Sequence, residues 1–411
     1  MRGPRDYAVI TASYWAFTLT DGALRMLVLL YLHQLGRSPL EIASLFLFYE
    51  FFGVVTNFVG GWIGARFGLK STLVVGLLLQ VLALALLGWR AAALTVPVVL
   101  IAQGMSGVAK DLTKMSSKSY VKLLVPGGDA HGLLHWVAVL TGSKNTLKGV
   151  GFFLGGLLLT QLGFRGACLA MAIGIAVALI AAGVMLPRAA GKSSVDVKLG
   201  QLVSHDARVN WLSAARLFLF GSRDIWFVLA LPVFLSQALG WSHAEVGGAL
   251  AVWVIGYGLV QAVAPRWLGA RHGKAGAGAL GRWTLALAPV LVAIYAGISA
   301  ELSPALVLAV GLSIFGAVFA TNSALHSYLI VAYAEEDTVA LKVGFYYMAN
   351  AMGRFVGTLL SGALYQLAGE GERGMLVCIL GSTVFVLISA VACIPLRAAE
   401  RRHDALLAAA E

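Results

Sequence analysis

Long apolar stretches alternate with short polar connections along the whole chain. Such runs, bounded by charged residues, glycines and prolines, predict helices long enough to cross the roughly 30 Å hydrocarbon core of a bilayer. The pattern predicts twelve spans, at residues 8–34, 40–65, 71–89, 94–122, 133–162, 164–187, 211–239, 243–267, 283–300, 303–333, 341–368 and 374–396. It therefore predicts an all-α membrane protein.

The longest polar interruption falls in the middle of the chain. It reads RAAGKSSVDVKLGQLVSHDARVN and leaves six predicted spans on either side. We therefore expect an N-terminal six-helix half over 1–187, a linker over 188–210, a C-terminal half over 211–396 and a tail over 397–411.

Short internal repeats indicate that the two halves are duplicates. The stretch WIGARFG at 62–68 recurs as WLGARHG at 267–273, after the second and eighth spans. Asn145 and Asn350 stand at the same offset. The stretches KGVGFFLGG in span five and GRFVGTLLSG in span eleven carry small residues at helix-packing intervals, which predicts close contact with neighbouring helices.

Composition and charge agree with a membrane location. The chain is 59% hydrophobic and 12% charged, whereas soluble domains carry about 25% charged residues. The net charge of +11 is spread over the connections without a basic, aromatic-rich patch, so we expect no nucleic-acid partner. Lys and Arg concentrate on alternate connections, which predicts that both termini and the central linker are cytoplasmic.

Several kinds of chemistry lack the residues they need. Cys168, Cys378 and Cys393 lie in apolar runs without CxxC or His partners, so we expect packing residues and no disulfide or zinc site. No nucleotide-binding or hydrolase motif stands in a suitable context. We therefore expect no cofactor and no enzyme activity, and an ion gradient as the energy source.

Charged residues also occur deep within the predicted spans. A charge at the centre of a membrane helix costs about 2.5–3.5 kcal/mol, so such residues normally face a partner or a water-filled cavity. The deep cations are Arg25, Lys110, Lys114, Lys144, Lys148, Arg216, Arg223 and Arg354, and the deep carboxylates are Asp21, Glu50, Asp111 and Asp224. The excess of cations predicts a site for a small anion with more than one charge.

Spacing along each helix indicates which of these charges act together. Residues four apart share a face, so we expect Asp21 to neutralise Arg25 on span one, and neighbouring Arg223 and Asp224 to form a second pair. Lys114 either snorkels to the headgroups or points inward. Glu50 makes an interhelical hydrogen bond or takes part in transport.

These considerations give two sets of candidate residues. Lys144, Lys148 and Arg354 have no carboxylate in their own spans, which favours contact with substrate. The predicted substrate-binding residues are Arg25, Lys110, Lys114, Lys144, Asn145, Lys148, Arg223, Arg354, Tyr14, Tyr257 and Tyr328. The predicted proton-coupling or gating residues are Asp21, Glu50, Asp111, Asp224 and His326.

The two six-span halves and the stretch GGWIGARFGLKS resemble the major facilitator superfamily. The resemblance rests on the loop motif residues Gly61, Arg66, Gly68 and Lys70, with Arg271 in the second copy, while Ala65 stands where an Asp is usual. It implies that spans one, four, seven and ten line a central cavity, and that the protein is a secondary transporter.

Longer stretches resemble the ArsJ-type organoarsenical efflux permeases within that superfamily. They include SYWAFTLTDGALRMLVLLYLH, SGVAKDLTKMSSKS, LTGSKNTLKGVGFFLGG and AARLFLFGSRDIWFVLALPVF. This resemblance implies export, by a monomer in the inner membrane, of 1-arseno-3-phosphoglycerate, an unstable ester that a glyceraldehyde-3-phosphate dehydrogenase makes when it accepts arsenate. An organophosphate/phosphate exchanger is the alternative within transport, and a membrane-embedded transferase is the alternative outside it.

Overall fold

Helices make up almost all of the part of the chain that the structure describes. The structure, a computed structural model, describes residues 3–67, 69–124, 130–186, 204, 206–264, 276–333 and 339–410. Within these residues the α-helices are α1 (Gly3–Gln34), α2 (Pro39–Phe67), α3 (Leu69–Trp89), α4 (Val96–Leu124), α5 (Ala130–Met185), α6 (Ala207–Phe227), α7 (Ala230–Gln237), α8 (His243–Val263), α9 (Ala277–Leu285), α10 (Leu287–Ser299), α11 (Pro304–Ala332), α12 (Val339–Leu367) and α13 (Gly371–Ala410).

The predicted all-α membrane fold is confirmed. Spans five and six form the long helix α5, which bends at Gly163, where φ is 63° and the absence of a Cβ permits a left-handed backbone. Span seven consists of α6 and α7, and span nine of α9 and α10. In the described ranges, nine helical segments are long and apolar enough to cross a membrane, and α4 and α12, which carry deep charges, are not among them.

A proline explains the break between α6 and α7. Pro232 has no N–H and its ring clashes with the carbonyl four residues earlier, so the helix cannot continue past Val228. The backbone N–H groups of Leu229 and Ala230 donate instead to the Ser361 hydroxyl, at 3.3 and 3.1 Å. The freed donors are thus satisfied by a side chain of α12, as the membrane interior requires.

Mutual contacts divide the chain into two compact units. Unit 1 comprises Met1–Val197 and Trp241–Gly258, and unit 2 comprises Lys198–Gly240 and Leu259–Glu411. Most of α8 therefore groups with unit 1 and its last turn with unit 2. The boundaries read from the sequence stay predictions.

Glycines bring α5 close to α1 within unit 1. A Cβ added to Gly151 would meet the carbonyl oxygen of Leu19, and one added to Gly155 would meet that of Ala23. A Cβ on Gly149, on another face of α5, would lie 2.8 Å from the carbonyl oxygen of Ala251 in α8. The close packing predicted from KGVGFFLGG is confirmed, and it involves two partner helices.

The same device joins α6 to α12 within unit 2. A Cβ on Gly353 would meet the carbonyl oxygen of Leu217, and one on Gly357 would lie 2.7 Å from that of Gly221. The close packing predicted from GRFVGTLLSG is thus also confirmed. Its recurrence in spans five and eleven supports the internal repeat.

A polar contact holds the starts of α6 and α12 together. Asp206 precedes α6 and accepts hydrogen bonds from the backbone N–H and the guanidinium of Arg208, both at 2.9 Å, while the Lys342 ammonium lies 3.5 Å away. Partial burial alone raises the pKa of Asp206, but these hydrogen bonds and positive charges outweigh it and lower the pKa overall. The ion pairs therefore fix the two helices that carry the charges of unit 2.

Substitution of Gly353 tests whether the α6–α12 contact limits stability. We expect Gly353→Ala to lower the free energy of unfolding by about 1–3 kcal/mol, because the added methyl group meets backbone that cannot rotate away. Gly174→Ala on α5 is the control, because a Cβ there meets nothing within 4 Å. Thermal unfolding of purified protein in detergent measures both, and equal midpoints would contradict the packing account.

Candidate functional site

Buried charges gather in one cluster in each unit. The unit 1 cluster consists of Arg25, Glu50, Lys110, Asp111 and Lys114, from α1, α2 and α4. The unit 2 cluster consists of Arg216, Arg223, Asp224 and Arg354, from α6 and α12. The packing of glycine-bearing helices places both.

Cations and carboxylates alternate along the unit 1 cluster. The Arg25 guanidinium donates to Glu50 at 3.0 Å, and the Lys110 ammonium lies 3.8 Å from the other oxygen of Glu50. Lys110 also lies 3.6 Å from Asp111, and Lys114 donates to Asp111 at 2.8 Å. Both Glu50 and Asp111 are 0% exposed. Each buried carboxylate is therefore held by two cations, as its burial requires.

The predicted pairing of Asp21 with Arg25 is wrong. The Asp21 carboxylate accepts a hydrogen bond from the Tyr49 hydroxyl at 2.5 Å, and Arg25 pairs with Glu50. The four-residue spacing predicted that Asp21 and Arg25 share a face of α1. Instead, α2 supplies the Tyr49 hydroxyl as the donor to Asp21 and the Glu50 carboxylate as the acceptor for Arg25. Glu50 thus makes the interhelical contact that was one of its two predicted roles.

Lys114 points inward and does not reach for the headgroups. Its ammonium donates to the Asn57 side chain at 2.8 Å as well as to Asp111, and its side chain is 13% exposed. Lys110 sits 4.1 Å from the centre of the Tyr49 ring, a distance typical of a cation–π contact. Lys110 and Lys114 are therefore part of the buried cluster.

A narrow recess beside Arg25 contains two buried donors with nothing to bind. Asp21, Arg25, Tyr49, Gln103 and Ser106 contribute to its lining. The Arg25 Nη2 and the Gln103 amide nitrogen have no hydrogen-bond acceptor among the described residues. The recess thus brings the Asp21 carboxylate and these two donors into one lining.

The predicted α5 residues are half-buried on a helix that packs against both α1 and α8. Lys144, Asn145 and Lys148 are each partly exposed. The Lys148 ammonium lies 5.7 Å from the Phe152 ring centre, and a Cβ on Gly258 of α8 would be 3.3 Å from the Cβ of Asn145. This part of α5 therefore packs against the part of α8 that belongs to unit 1.

Asp224 holds two arginines in unit 2. Arg223 donates to its Oδ1, which confirms the predicted pair, and the Arg354 Nε donates to its Oδ2 at 3.2 Å. Arg354 lacks a carboxylate in its own span, as the sequence indicated, but α6 supplies one. Asp224 is 0% exposed and sits one turn before the break after α6.

Arg216 has a different environment from its two neighbours. Its Nε donates to Asn350 Oδ1 at 2.9 Å and its Nη1 to the Ser323 hydroxyl at 3.1 Å. Its guanidinium carbon lies 3.7 Å from the centre of the Phe220 ring. Both hydrogen-bond acceptors of Arg216 among the described residues are uncharged, so Asp224 is the one carboxylate beside the three arginines of the cluster.

Two glycines leave room for these clusters. A Cβ on Gly53 would lie 2.9 Å from the Lys110 ammonium and 3.0 Å from an Asp111 oxygen. A Cβ on Gly357 would lie 2.9 Å from the Cβ of Asp224. The small residues therefore serve the charges as well as the helix packing.

The other predicted residues are dispersed. Tyr14 and Tyr257 are buried, and Tyr257 stacks on Trp253 at 5.9 Å, whereas Tyr328 is 44% exposed. His326 is fully buried on α11. The three cysteines are buried and free, as expected of packing residues.

The loop motif is only partly described. The Lys70 ammonium donates to the carbonyl oxygen of Leu186 at 2.5 Å, which joins the start of α3 to the end of α5. Gly68 and Arg271 lie outside the described residues, as do the surroundings of Gly61 and the side chain of Arg66. Their predicted roles stay predictions.

Uncharged polar residues complete both clusters and were not among the predicted site residues. Tyr49 and Asn57 bind charges in unit 1, and Ser323 and Asn350 do so in unit 2. Their shared sequence signal was a polar residue inside an apolar run, and Asn350 was also the repeat partner of Asn145. That signal is shared by many residues that do not touch a charge.

The two clusters differ in what they can do chemically. The unit 1 cluster holds three cations and two carboxylates, whereas the unit 2 cluster holds three guanidinium groups and one carboxylate. Guanidinium groups supply forked donors that suit phosphate, arsenate and carboxylate oxygens. Unit 2 is therefore the more attractive environment for an anion.

Comparisons with known proteins agree with the helical architecture. The sequence model of the Major Facilitator Superfamily matches residues 10–231 and 212–409. No curated protein matches the chain.

Two crystal structures of POT family transporters, one with 5-aminolevulinic acid and one with a thioalcohol-conjugated peptide, align with a TM-score of 0.72 at 14% identity. Each alignment covers 94% of this chain and 95% of the other. A bacterial homologue of the human lysosomal transporter Spinster, inward-facing and occupied, aligns with a TM-score of 0.67 at 14% identity over 96% of both chains. At these identities the structures speak for the fold alone.

Removal of Glu50 tests the unit 1 cluster. We expect Glu50→Ala to lower the free energy of unfolding by about 3–5 kcal/mol, because it leaves Arg25 buried without a carboxylate. The double variant Arg25→Ala, Glu50→Ala removes both charges and should recover part of the loss. Denaturant unfolding in detergent measures all three.

Glu372→Ala is the matched control, because Glu372 is exposed in the first turn of α13. It should change stability by no more than about 0.5 kcal/mol. If Glu50→Ala were as stable as this control, the ion pairs would not hold the cluster together.

Proposed function

Because this chain belongs to the major facilitator superfamily, we propose that it exports 1-arseno-3-phosphoglycerate by alternating access and so confers resistance to arsenate. It is a multi-pass membrane protein of a secondary transporter family. The substrate, the direction of transport and the location in an inner membrane with cytoplasmic termini are the proposed part.

The observation that carries the proposal is the surplus of cations within the membrane helices. Eight deep cations accompany four deep carboxylates, and in the described structure Glu50, Asp111 and Asp224 are already held by cations. An excess of positive charge in a low-dielectric environment attracts anions and repels cations. The surplus supports an anionic substrate with more than one charged group.

The proposed ester fits this environment in charge and size. It carries an arsenate group and a phosphate group on a short hydroxylated backbone, so forked guanidinium donors and lysine ammonium groups suit its two ends. The resemblance to ArsJ-type permeases supports this ester over other dianions. It also suggests functional coupling to a glyceraldehyde-3-phosphate dehydrogenase, which would supply the substrate on the cytoplasmic side.

An ion gradient would drive the export. Asp21, Glu50, Asp111, Asp224 and His326 stay the proton-coupling candidates. Asp21 differs from the other three carboxylates, because its hydrogen-bond donor is the neutral Tyr49 hydroxyl and no cation lies within ion-pair distance among the described residues.

Transport into everted membrane vesicles tests the substrate. The vesicles receive glyceraldehyde 3-phosphate, NAD, arsenate and the dehydrogenase, and arsenic uptake is compared with the same mixture lacking the dehydrogenase. We expect uptake only with the complete mixture and only in vesicles that contain this protein. Dehydrogenase-independent exchange of phosphate for 3-phosphoglycerate would instead establish the organophosphate exchanger, and turnover without uptake would establish a transferase.

Substitution of the α5 lysines tests the binding residues. We expect Lys144→Ala and Lys148→Ala each to lower transport at least about tenfold, which corresponds to a loss of about 1.4 kcal/mol of interaction with the anion. The control is Arg90→Ala, which removes an exposed cation after α3. Uptake normalised to the amount of protein in the membrane is the measurement, and full activity of both lysine variants would remove α5 from the site.

A further inference from the structure

Arg216 is a buried guanidinium that has no counter-charge among the described residues. It is 5% exposed, and within the described ranges no carboxylate lies within 4 Å of it, whereas Arg223 and Arg354 share Asp224. Its hydrogen-bond acceptors are the neutral oxygens of Asn350 and Ser323. Only two of its five N–H donors are used in these contacts.

Aromatic rings offset only part of the cost of this buried charge. The guanidinium carbon lies 3.7 Å from the Phe220 ring centre and 5.3 Å from that of Tyr346. A cation–π contact contributes about 0.5–2 kcal/mol, while removal of an ion from water costs several kcal/mol. An anion beside Arg216 would supply the missing stabilisation.

A second buried group beside Arg216 lacks a partner. Both ring nitrogens of His326 have no hydrogen-bond partner in the part of the chain that the structure describes, and the residue is 0% exposed. His326 follows Ser323 by one turn of α11, and its ring centre lies 6.3 Å from that of Tyr346, which in turn lies 5.3 Å from the Arg216 guanidinium carbon. A buried polar group left without a partner costs about 1–3 kcal/mol, so His326 has an unused donor where an acceptor would be stabilising.

Ser323 connects these groups. Its hydroxyl oxygen accepts from Arg216 at 3.1 Å and from the Gln261 amide at 3.3 Å. A hydroxyl has two acceptor positions and one donor, so the hydrogen of Ser323 is left for a further acceptor. Arg216 of α6 and Ser323 of α11 are thus within hydrogen-bond distance of each other, and no carboxylate lies within 4 Å of Arg216 among the described residues.

We infer that Arg216, Ser323 and His326 form an oxyanion site in unit 2. A tetrahedral group of the phosphate or arsenate kind suits it, since its oxygens point in several directions and can accept from three side chains at once. In the structure, two N–H groups of the Arg216 guanidinium donate to the Asn350 and Ser323 oxygens. Oxygens of a bound ligand would replace these acceptors or accept from the remaining N–H groups. This inference rests on the proposed function, because it assigns a place to one charged end of the substrate.

Asn350→Asp tests the site without removing a contact. The new carboxylate keeps the acceptor for the Arg216 Nε and supplies the missing counter-charge, so the folded state should be as stable as the wild type or more stable. The same charge should repel an oxyanion and weaken its binding at least about tenfold. Asn210→Asp is the matched control, because Asn210 is exposed at the start of α6.

The measurement is the rise in melting temperature of the purified full-length protein with inorganic phosphate, and separately with glycerate as a carboxylate probe. We expect phosphate to stabilise the wild type and Asn210→Asp alike, and to stabilise Asn350→Asp only at much higher concentration. Stabilisation by glycerate but not by phosphate would contradict a tetrahedral oxyanion site. An unchanged phosphate response in Asn350→Asp, or no response in the wild type, would overturn the inference.

Arg216→Lys gives a second readout should Asn350→Asp fail to fold. This variant keeps the positive charge but loses the forked N–H donors of the guanidinium, so it should bind phosphate more weakly than the wild type. Equal binding would contradict the role of the guanidinium. Phosphate binding that depends on Arg216, together with no uptake of the arsenical ester, would overturn the proposed substrate and leave the site standing. Uptake of the ester by the wild type, together with phosphate binding that Asn350→Asp leaves unaltered, would support the proposed substrate and overturn the oxyanion site.

Discussion

A charge inside the hydrocarbon region must be paired, hydrated or kept for a ligand, and this constraint governs both units of the protein. In unit 1 the constraint is met internally, because Glu50 and Asp111 each lie between two cations. In unit 2 a single carboxylate, Asp224, serves two arginines, and Arg216 has only neutral partners. Both clusters therefore hold more cations than carboxylates, and the excess is larger in unit 2, which supports the proposed anionic substrate.

Helix packing and charge placement depend on the same glycines. Gly151 and Gly155 allow α5 to approach α1, Gly353 and Gly357 allow α12 to approach α6, and Gly53 leaves space for Lys110. Larger side chains at these positions would separate the helices. The ion pairs between helices would then be replaced by isolated buried charges, which a membrane interior does not tolerate.

The sequence predicted the helical spans well because span length and hydropathy are set by the bilayer and can be read locally. It also predicted the pair of Arg223 with Asp224, which are neighbours in the chain. It failed for Asp21, because the Tyr49 hydroxyl and the Glu50 carboxylate come from another helix and their register is fixed only by tertiary packing. The lack of a counter-charge at Arg216 among the described residues could not be predicted for the same reason, since its partners Ser323 and Asn350 come from α11 and α12.

The central claim is that the cation surplus serves export of an arsenical anion. The most direct measurement is the arsenic content of cells exposed to arsenate, with and without this protein, in the presence of an active glyceraldehyde-3-phosphate dehydrogenase. The account predicts lower intracellular arsenic with the protein and no difference when the dehydrogenase is inactive. Equal arsenic content in cells with and without the protein, while the dehydrogenase is active, would contradict it.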